Sequence, residues 1–489
     1  MGKKGKKGPV MPPGMTEEYF MCTQDTLGCS LVLSGIGSTP SKAPMPVHFT
    51  KGQAAQFLWQ NALVDKAKLD EAISTQSVQA AVKCIQVSPL LNEKTLAAGL
   101  LECLCLEEKW RDFILTQCKP SCIPALISCL NAGSAAAEVS AFRALRALCE
   151  TEEVRPMVCK QLNAMADSWN QIMICLRDCL EATAKIEGFL LIYLCTTTDS
   201  HSRANLAKMR LTFDVTLDII RSGKWNEAVR GMAMRVLRRL LMYGPSKEEI
   251  LSRGGLETAV TFVKACSVQD SLFDFEARCA GANVLWALIE DRTLPYGMPK
   301  SRDSEDSKIT QPSQAMTERA KKCIEWGAAE PLIILCCGPE PSSKLKEPPP
   351  PPGKKKKKGG GGKKKKGGAM PPGGEECMQY AVGSLRAMTL WEEGRDEVIN
   401  AVDGYGCRAI VLLAESKTDQ TRWHATATLL NLAAHGTRVG KLEAAGAPPY
   451  ITNLPPNRVF EGVSPTSKPR PPTSMGDIPR PGTAGPDAP

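Results

Sequence analysis

One eight-residue pattern recurs along this chain and limits its fold more than any other feature. A small residue is followed four positions later by Leu, and three positions after that by a second Leu or by Met. The copies are Ala97/Leu101/Leu104, Ala141/Leu145/Leu148, a weaker Glu187/Leu191/Leu194, Ala233/Leu237/Leu240, Gly281/Leu285/Leu288, Ala381/Leu385/Met388 and Ala425/Leu429/Leu432. They start 44, 46, 46, 48, 100 and 44 residues apart. Positions n, n+4 and n+7 share one helix face, which a single helix cannot bury, so this period predicts stacked helices.

A turn containing Gly or Pro and a short apolar helix precede most copies. Examples are residues 124–130, 255–263, 327–335 and 406–413. Gly commonly ends one helix and Pro can begin the next. Each unit of the repeat is therefore predicted to hold several helices.

This cadence resembles the armadillo repeat family. Its best match is ATATLLNLA at residues 425–433, followed by Gly446 and Ala447. The resemblance covers about residues 55–454. It implies an all-α fold, a right-handed α-solenoid of about seven armadillo-like repeats, while the family's many unrelated partners leave the function open.

The domain organisation follows from composition. Residues 1–50 are predicted to form a flexible basic N-terminal tail with an extended segment, and residues 455–489 a Pro-rich disordered tail. The solenoid is predicted over residues 51–454. Its single long interval contains two inserted loops, 291–314 and 338–374, and the longer loop is predicted to be disordered, since loop length costs little closure entropy.

Positive charge is concentrated in the longer insertion. The chain has a net charge of +9, and residues 338–374 hold eleven Lys and two Glu. The densest part is predicted to form an electrostatic arm, made of Lys354, Lys355, Lys356, Lys357, Lys358, Lys363, Lys364, Lys365 and Lys366. Such an arm suits an acidic polymer such as the tails of tubulin, with nucleic acid a less favoured partner. A solvated spacer is the alternative.

The sequence shows no catalytic constellation. It lacks the H-E-x-x-H, G-x-S-x-G and P-loop motifs, and its 20 Cys include no C-x2-C pair. We therefore expect no enzyme activity, no cofactor and no metal site, with the Cys acting as small core residues. The absence of a long apolar run predicts no integral membrane contact, and reduced thiols favour a cytoplasmic location.

The remaining candidate site is a groove. In armadillo-like proteins the third helix of each repeat lines a concave surface, and positions n+2, n+5 and n+6 face it. Those positions hold Arg143, Arg146, Phe189, Tyr193, Arg235, Arg238, Arg239, Arg386 and Asn431. The resemblance implies that Asn431 hydrogen-bonds the backbone of an extended peptide. The Arg residues predict an acidic, extended ligand, with ordinary solvated helix faces as the alternative.

These features together predict a non-enzymatic scaffold that binds other proteins along the groove. One specific hypothesis makes it a structural component of a ciliary or flagellar axoneme, where basic tails would meet microtubules. The alternative is a cytosolic adaptor or co-chaperone that binds an acidic client peptide. The alternative needs the groove Arg residues and not the tails.

Overall fold

The regular elements of the described chain are α-helices. The computed structural model describes residues 26–34, 50–268, 271–290, 313–337, 374–402, 404, 406–434 and 438–453. Two compact units divide the chain, unit 1 at Met1–Glu249 and unit 2 at Ile250–Pro489. An all-α fold is thus confirmed for these residues.

Unit 1 contains helices of three recurring kinds. The third helices, which carry the recurring pattern from α5 onward, are α2 (Lys51–Val64), α5 (Leu91–Leu106), α8 (Ala135–Glu150), α11 (Ala182–Thr198) and α14 (Glu227–Leu240). The first helices are α3 (Lys66–Ser74), α6 (Glu108–Thr116), α9 (Arg155–Ala164) and α12 (Ser200–Lys208). The second helices are α1 (Thr26–Ser34), α4 (Ser77–Val87), α7 (Cys122–Cys129), α10 (Ser168–Asp178) and α13 (Arg210–Arg221).

Unit 2 repeats this order. Its third helices are α17 (Phe275–Ile289), α20 (Gly374–Met388) and α23 (Asp419–Ala433). Its first helices are α18 (Gln314–Glu325), α21 (Glu392–Asn400) and α24 (Val439–Ala444), and its second helices are α16 (Gly255–Ser267), α19 (Ala329–Cys336), α22 (Gly406–Ala414) and α25 (Pro449–Thr452). The short α15 (Ser246–Ser252) spans the boundary between the units.

Within each unit, like helices pack on like helices. Each third helix of unit 1 contacts the next along the chain, from α2 to α14, and α17, α20 and α23 do the same in unit 2. The two Leu positions of the pattern are fully buried in α5, α8 and α14. The pattern therefore serves the packing of one repeat on the next.

The weak copy of the pattern lies one residue later than the sequence predicted. In α11 the residues at the three pattern positions are Gly188, Ile192 and Cys195, all buried, whereas Glu187 and Leu194 of the predicted set are only partly buried. A Cβ atom on Gly188 would lie 2.7 Å from Leu176 and 2.9 Å from Phe142, so only glycine leaves room at this contact. The shifted register moves every neighbouring side chain of α11 by 100° around the helix.

Unit 1 also begins earlier than the pattern suggests. Helix α2 is a third helix that packs on α5, although Asn61 stands where the pattern starting at Ala54 requires a second Leu. Helix α1 lies within residues 1–50, for which a tail with an extended segment was predicted, and packs on α2 and α4. It is held by buried Leu33 and by a hydrogen bond of 2.7 Å between the hydroxyls of Ser30 and Ser77.

A recurring arginine closes the C-terminal end of five third helices. Its Nε donates to the carbonyl eight residues after the small residue, in the pairs Arg111–Cys105, Arg155–Cys149, Arg203–Thr196, Arg319–Ile289 and Arg395–Thr389, at 2.6–3.1 Å. Three of them donate through Nη2 to the next carbonyl as well, those of Leu106, Glu150 and Leu390. The last carbonyls of a helix have no partner within it, so the guanidinium fork satisfies groups that would otherwise be buried unpaired.

The arginine hydrogen bond also shows where additional residues are inserted between two helices. Arg319 of α18 reaches Ile289 of α17 as its counterparts do in the other repeats, although 30 residues separate them. In the chain order, residues 291–312 thus come between a third and a first helix. Residues 338–373 fall between α19 and α20. Both stretches, and with them the nine Lys of the predicted arm, lie outside the described residues, so the predicted loops stay predictions.

We predict that Gly394→Ala destabilises unit 2. The added Cβ would lie 2.1 Å from the backbone oxygen of Met388, where α21 passes the end of α20. Alanine gains about 1 kcal/mol of helix propensity, but overpacking against backbone costs about 1–3 kcal/mol or more, so a net loss is expected. Denaturant titration measures it. Gly440→Ala, which meets open space in α24, should leave stability equal or higher.

We also predict that Arg155→Met lowers the free energy of unfolding by about 1–3 kcal/mol, because it leaves the buried carbonyls of Cys149 and Glu150 unpaired. Arg177→Met removes an exposed arginine paired with Asp178 and should cost less than about 0.5 kcal/mol. Equal effects of the two substitutions in thermal or denaturant unfolding would contradict the capping role.

Candidate functional site

The predicted arginines of α8 lie on the face of the third helices, but in ion pairs. Arg143 Nη1 is 3.2 Å from Glu102 Oε1 of α5, and its Nε is 3.5 Å from Glu187 Oε1 of α11. Arg146 Nε is 2.6 Å from Glu187 Oε2, and Arg146 also pairs with Glu150. This part of the predicted basic groove is therefore a ladder of ion pairs across three helices. An acidic ligand would have to compete with Glu187.

The arginines of α14 form a cluster of three positive charges on one helix. Arg235, Arg238 and Arg239 share one side of the helix by their spacing, and all three are half-buried. Arg239 Nη2 donates to the Tyr193 hydroxyl at 3.0 Å, and its guanidinium lies 4.9 Å from the centre of that ring. Arg235 and Arg238 have interaction partners in the structure as well.

Arg203 of α12 adds a fourth positive charge beside this cluster. Its burial and the nearby charge of Arg239 both lower the pKa of the Arg203 guanidinium. Like charges held together raise the local potential, which an approaching anion would relieve. Arg203 and Arg239 are therefore close enough for their charges to interact.

Two predicted groove residues lie in the interior instead. Phe189 is fully buried, because the one-residue shift in α11 turns it into the core. Asn431 is fully buried too, and its Nδ2 donates to Thr389 Oγ1 at 3.3 Å and to the Arg386 carbonyl at 3.5 Å. The amide that the resemblance assigned to a bound peptide thus bonds to its own chain, so both assignments need correction.

In unit 2, Arg386 joins an aromatic cluster on α17, α20 and α23. Its guanidinium pairs with Glu290 and lies 5.1 Å from the centre of the Trp423 ring. Trp286 Nε1 donates to the same carboxylate at 3.2 Å. Trp286 also lies flat over Gly383, where an added Cβ would be 3.2 Å from the indole. The Arg386 side chain is therefore held by these contacts and is not an isolated positive charge.

His424 lies between the two tryptophans of this cluster. Its ring centre is 5.2 Å from that of Trp286 and 4.6 Å from that of Trp423. Burial, and then the charge of Arg386, hold the pKa of His424 well below 6.5. Its Nδ1 meets no hydrogen-bond partner among the described residues. The imidazole is therefore neutral in the folded chain.

The described cysteines and the buried Lys185 serve structure. The 19 cysteines in the described ranges are buried and free of disulfides, and burial raises the pKa of Cys84 and Cys407 to about 11. Within those ranges no three His, Cys, Asp or Glu side chains form a metal site. Lys185 donates to the Leu176 carbonyl at the end of α10 and faces the Trp225 ring at 4.5 Å.

Sequence reasoning missed the acidic partners of the face. Glu102 and Glu187 lie on third helices next to the arginines that they pair with, and Glu290 lies directly after the third helix α17. A search for opposite charges one repeat apart would have found Glu102 and Arg143, which are 41 residues apart. It would have missed Glu290 and Arg386, because inserted residues separate them by 96 positions.

We predict a stability change near neutral pH from His424. The unfolded chain binds a proton at His424 from about pH 6.5 downward, whereas the folded chain does not. The contribution of His424 to the free energy of unfolding is therefore fully present above this pH, and it decreases as the pH falls towards the folded-state pKa. The slope reaches about 1.4 kcal/mol per pH unit at most. His424→Gln should flatten this dependence in unfolding titrations between about pH 7.5 and 5. The exposed His201→Gln should keep it.

Comparisons with known proteins address the fold. No family model matches the chain, and no curated protein does. A crystal structure of an engineered protein aligns with 86% of this chain and 82% of its own at 15% identity, with a TM-score of 0.52. A computationally designed armadillo repeat protein for modular peptide recognition aligns with 53% of this chain and 99% of its own, at 13% identity and a TM-score of 0.42.

No helix in the described ranges is long and apolar enough to cross a membrane.

At 15% identity the likeness to the engineered protein shows the fold alone. Together with the recurring order of first, second and third helices, it bears out the α-solenoid fold predicted from the sequence. The fold of this chain is an armadillo-like helical repeat.

Proposed function

We propose that this chain is a non-enzymatic scaffold that binds proteins along the face of its third helices. The armadillo-like fold fits a protein-binding scaffold. The observation that supports this face as the contact surface is the ordering of its side chains by neighbouring helices, as in Arg143–Glu187 and Arg239–Tyr193. Side chains ordered before binding lose less entropy when a partner docks.

The partner that this face suits is an extended segment with acidic side chains. The supporting feature is the cluster of Arg235, Arg238 and Arg239 next to Arg203, with Tyr193 as a half-buried aromatic neighbour. Guanidinium groups bind carboxylates with two parallel hydrogen bonds. The ion pairs of α8 set a limit, since a partner gains there only by displacing Glu187.

Charge reversal tests the face. We expect Arg235→Glu, Arg238→Glu and Arg239→Glu together to remove partners captured from the native cell by the full chain, with the melting temperature within a few degrees of the parent because these side chains are only half-buried. A matched control changes Arg177, Arg210 and Arg221 to Glu, an equal charge change on exposed positions of α10 and α13. An unchanged partner set in the first variant would contradict the proposal.

A finer form of the proposal places the scaffold in a ciliary or flagellar microtubule assembly. Its support is the Lys-rich tract of residues 338–374, whose charge is opposite to that of the tubulin tails. We expect the full chain to co-sediment with microtubules, and binding to fall on deletion of residues 348–374 or of the acidic tubulin tails. Binding that does not change with salt concentration or with either deletion would count against this proposal.

The same deletion distinguishes the adaptor or co-chaperone proposal from the microtubule proposal. An adaptor for an acidic client peptide needs the α14 cluster, so deletion of residues 348–374 should leave its affinity unchanged. Charge reversal at Arg235, Arg238 and Arg239 should abolish that affinity. Fluorescence anisotropy with an acidic, extended peptide distinguishes these outcomes.

A further inference from the structure

Three consecutive turns between third and first helices form one edge of unit 1, which we call the turn edge. It comprises residues 63–66, 106–108 and 150–153. Lys66 Nζ lies 3.1 Å from Glu107 Oε2 and joins the first turn to the second. Arg111 joins the second to the third, because its Nη2 donates to the Leu106 carbonyl at 3.1 Å and to Glu150 Oε2 at 3.0 Å.

The first two turns expose large apolar side chains. Leu63 is 62%, Val64 88% and Leu106 43% exposed. Leu63 and Leu106 each lie nine residues after the small residue of their pattern, Ala54 and Ala97, so they hold equivalent positions on the edge. Single exposed apolar residues are ordinary, whereas several joined on one edge indicate a contact surface.

The charge of the turn edge is negative. Glu108, Glu152 and Glu153 are exposed. The arginines nearest to them, Arg111 and Arg155, are buried and point their guanidinium groups at backbone carbonyls. Residues 63–66, 106–108 and 150–153 contain six acidic residues and one basic residue, Lys66, whose side chain is 69% exposed and paired with Glu107. Carboxylates therefore outnumber positive charges on the edge that carries the apolar side chains.

We propose that the turn edge docks a basic amphipathic helix of a partner protein, with its apolar side chains on Leu63, Val64 and Leu106 and its Lys or Arg side chains opposite the carboxylates. Such helices present apolar residues at i, i+3, i+4 and i+7 to a complementary surface. A second copy of this edge would bring carboxylates against carboxylates. An anionic membrane would be repelled for the same reason. Charge complementarity therefore selects the basic helix.

This surface is separate from the arginine cluster of the proposed function. The turn edge consists of helix ends and turns, whereas the arginine cluster lies along α14. A negative result for binding at one of these surfaces therefore does not contradict the proposal for the other surface. Charge reversal at Arg235, Arg238 and Arg239 should not change binding at the turn edge.

The first test uses a labelled 18-residue helical peptide with Leu on one face and Lys on the rest, titrated with the full chain by fluorescence anisotropy. We expect Leu63→Ser, Val64→Ser and Leu106→Ser together to weaken binding about tenfold or more. The melting temperature should hold because the side chains are exposed. Leu180→Ser changes a leucine that is 87% exposed elsewhere in unit 1 and should bind like the parent.

The second test changes charge without changing apolar area. Glu108→Gln, Glu152→Gln and Glu153→Gln should weaken the Lys peptide several-fold at low salt and little at high salt, since screened charges contribute less. A peptide with Glu in place of Lys should not bind. The proposal is overturned if the parent does not bind the Lys peptide, if the Glu peptide binds equally well, or if Leu180→Ser loses as much affinity as the triple variant.

Discussion

The side-by-side packing of third helices is the interaction on which each unit depends. A fully buried Leu contributes about 1.5–3 kcal/mol, and five third helices bury two of them at the pattern positions, such as Leu145 and Leu148. The small residue sets how closely the helices approach, as at Gly188, where a methyl group would meet Phe142. A single repeat has no partner for this stripe, so stability comes from neighbours.

The arginine caps follow from that packing. Stacked third helices bury their C-terminal carbonyls, which need donors that water cannot supply. A first helix that returns across the end of the third helix brings an arginine to them, and Gly394 shows how close the return is. The cap therefore couples the end of a third helix to the direction of the first helix that follows it, in the five places where the arginine occurs.

The polar face of the third helices is ordered by side chains of neighbouring repeats. Its arginines contact glutamates and aromatic rings on the adjacent third helices, as in Arg143–Glu187 and Arg239–Tyr193. In unit 2 the corresponding positions hold a buried cluster, where His424 Nδ1 lacks a partner among the described residues. Unpaired buried polar atoms lower the free energy of unfolding. Protonation of His424 in this cluster therefore makes stability depend on pH.

The sequence by itself determined the repeat, the all-α fold and the positions of most third helices, because a period of 44–48 residues has few other physical solutions. It could not determine which side of α11 faces inward, since a one-residue shift between Glu187 and Gly188 moves Phe189 from the surface to the core. Nor could it show that Asn431 bonds to Thr389. Those contacts depend on helix rotation and on partners one repeat away, which only the tertiary structure decided.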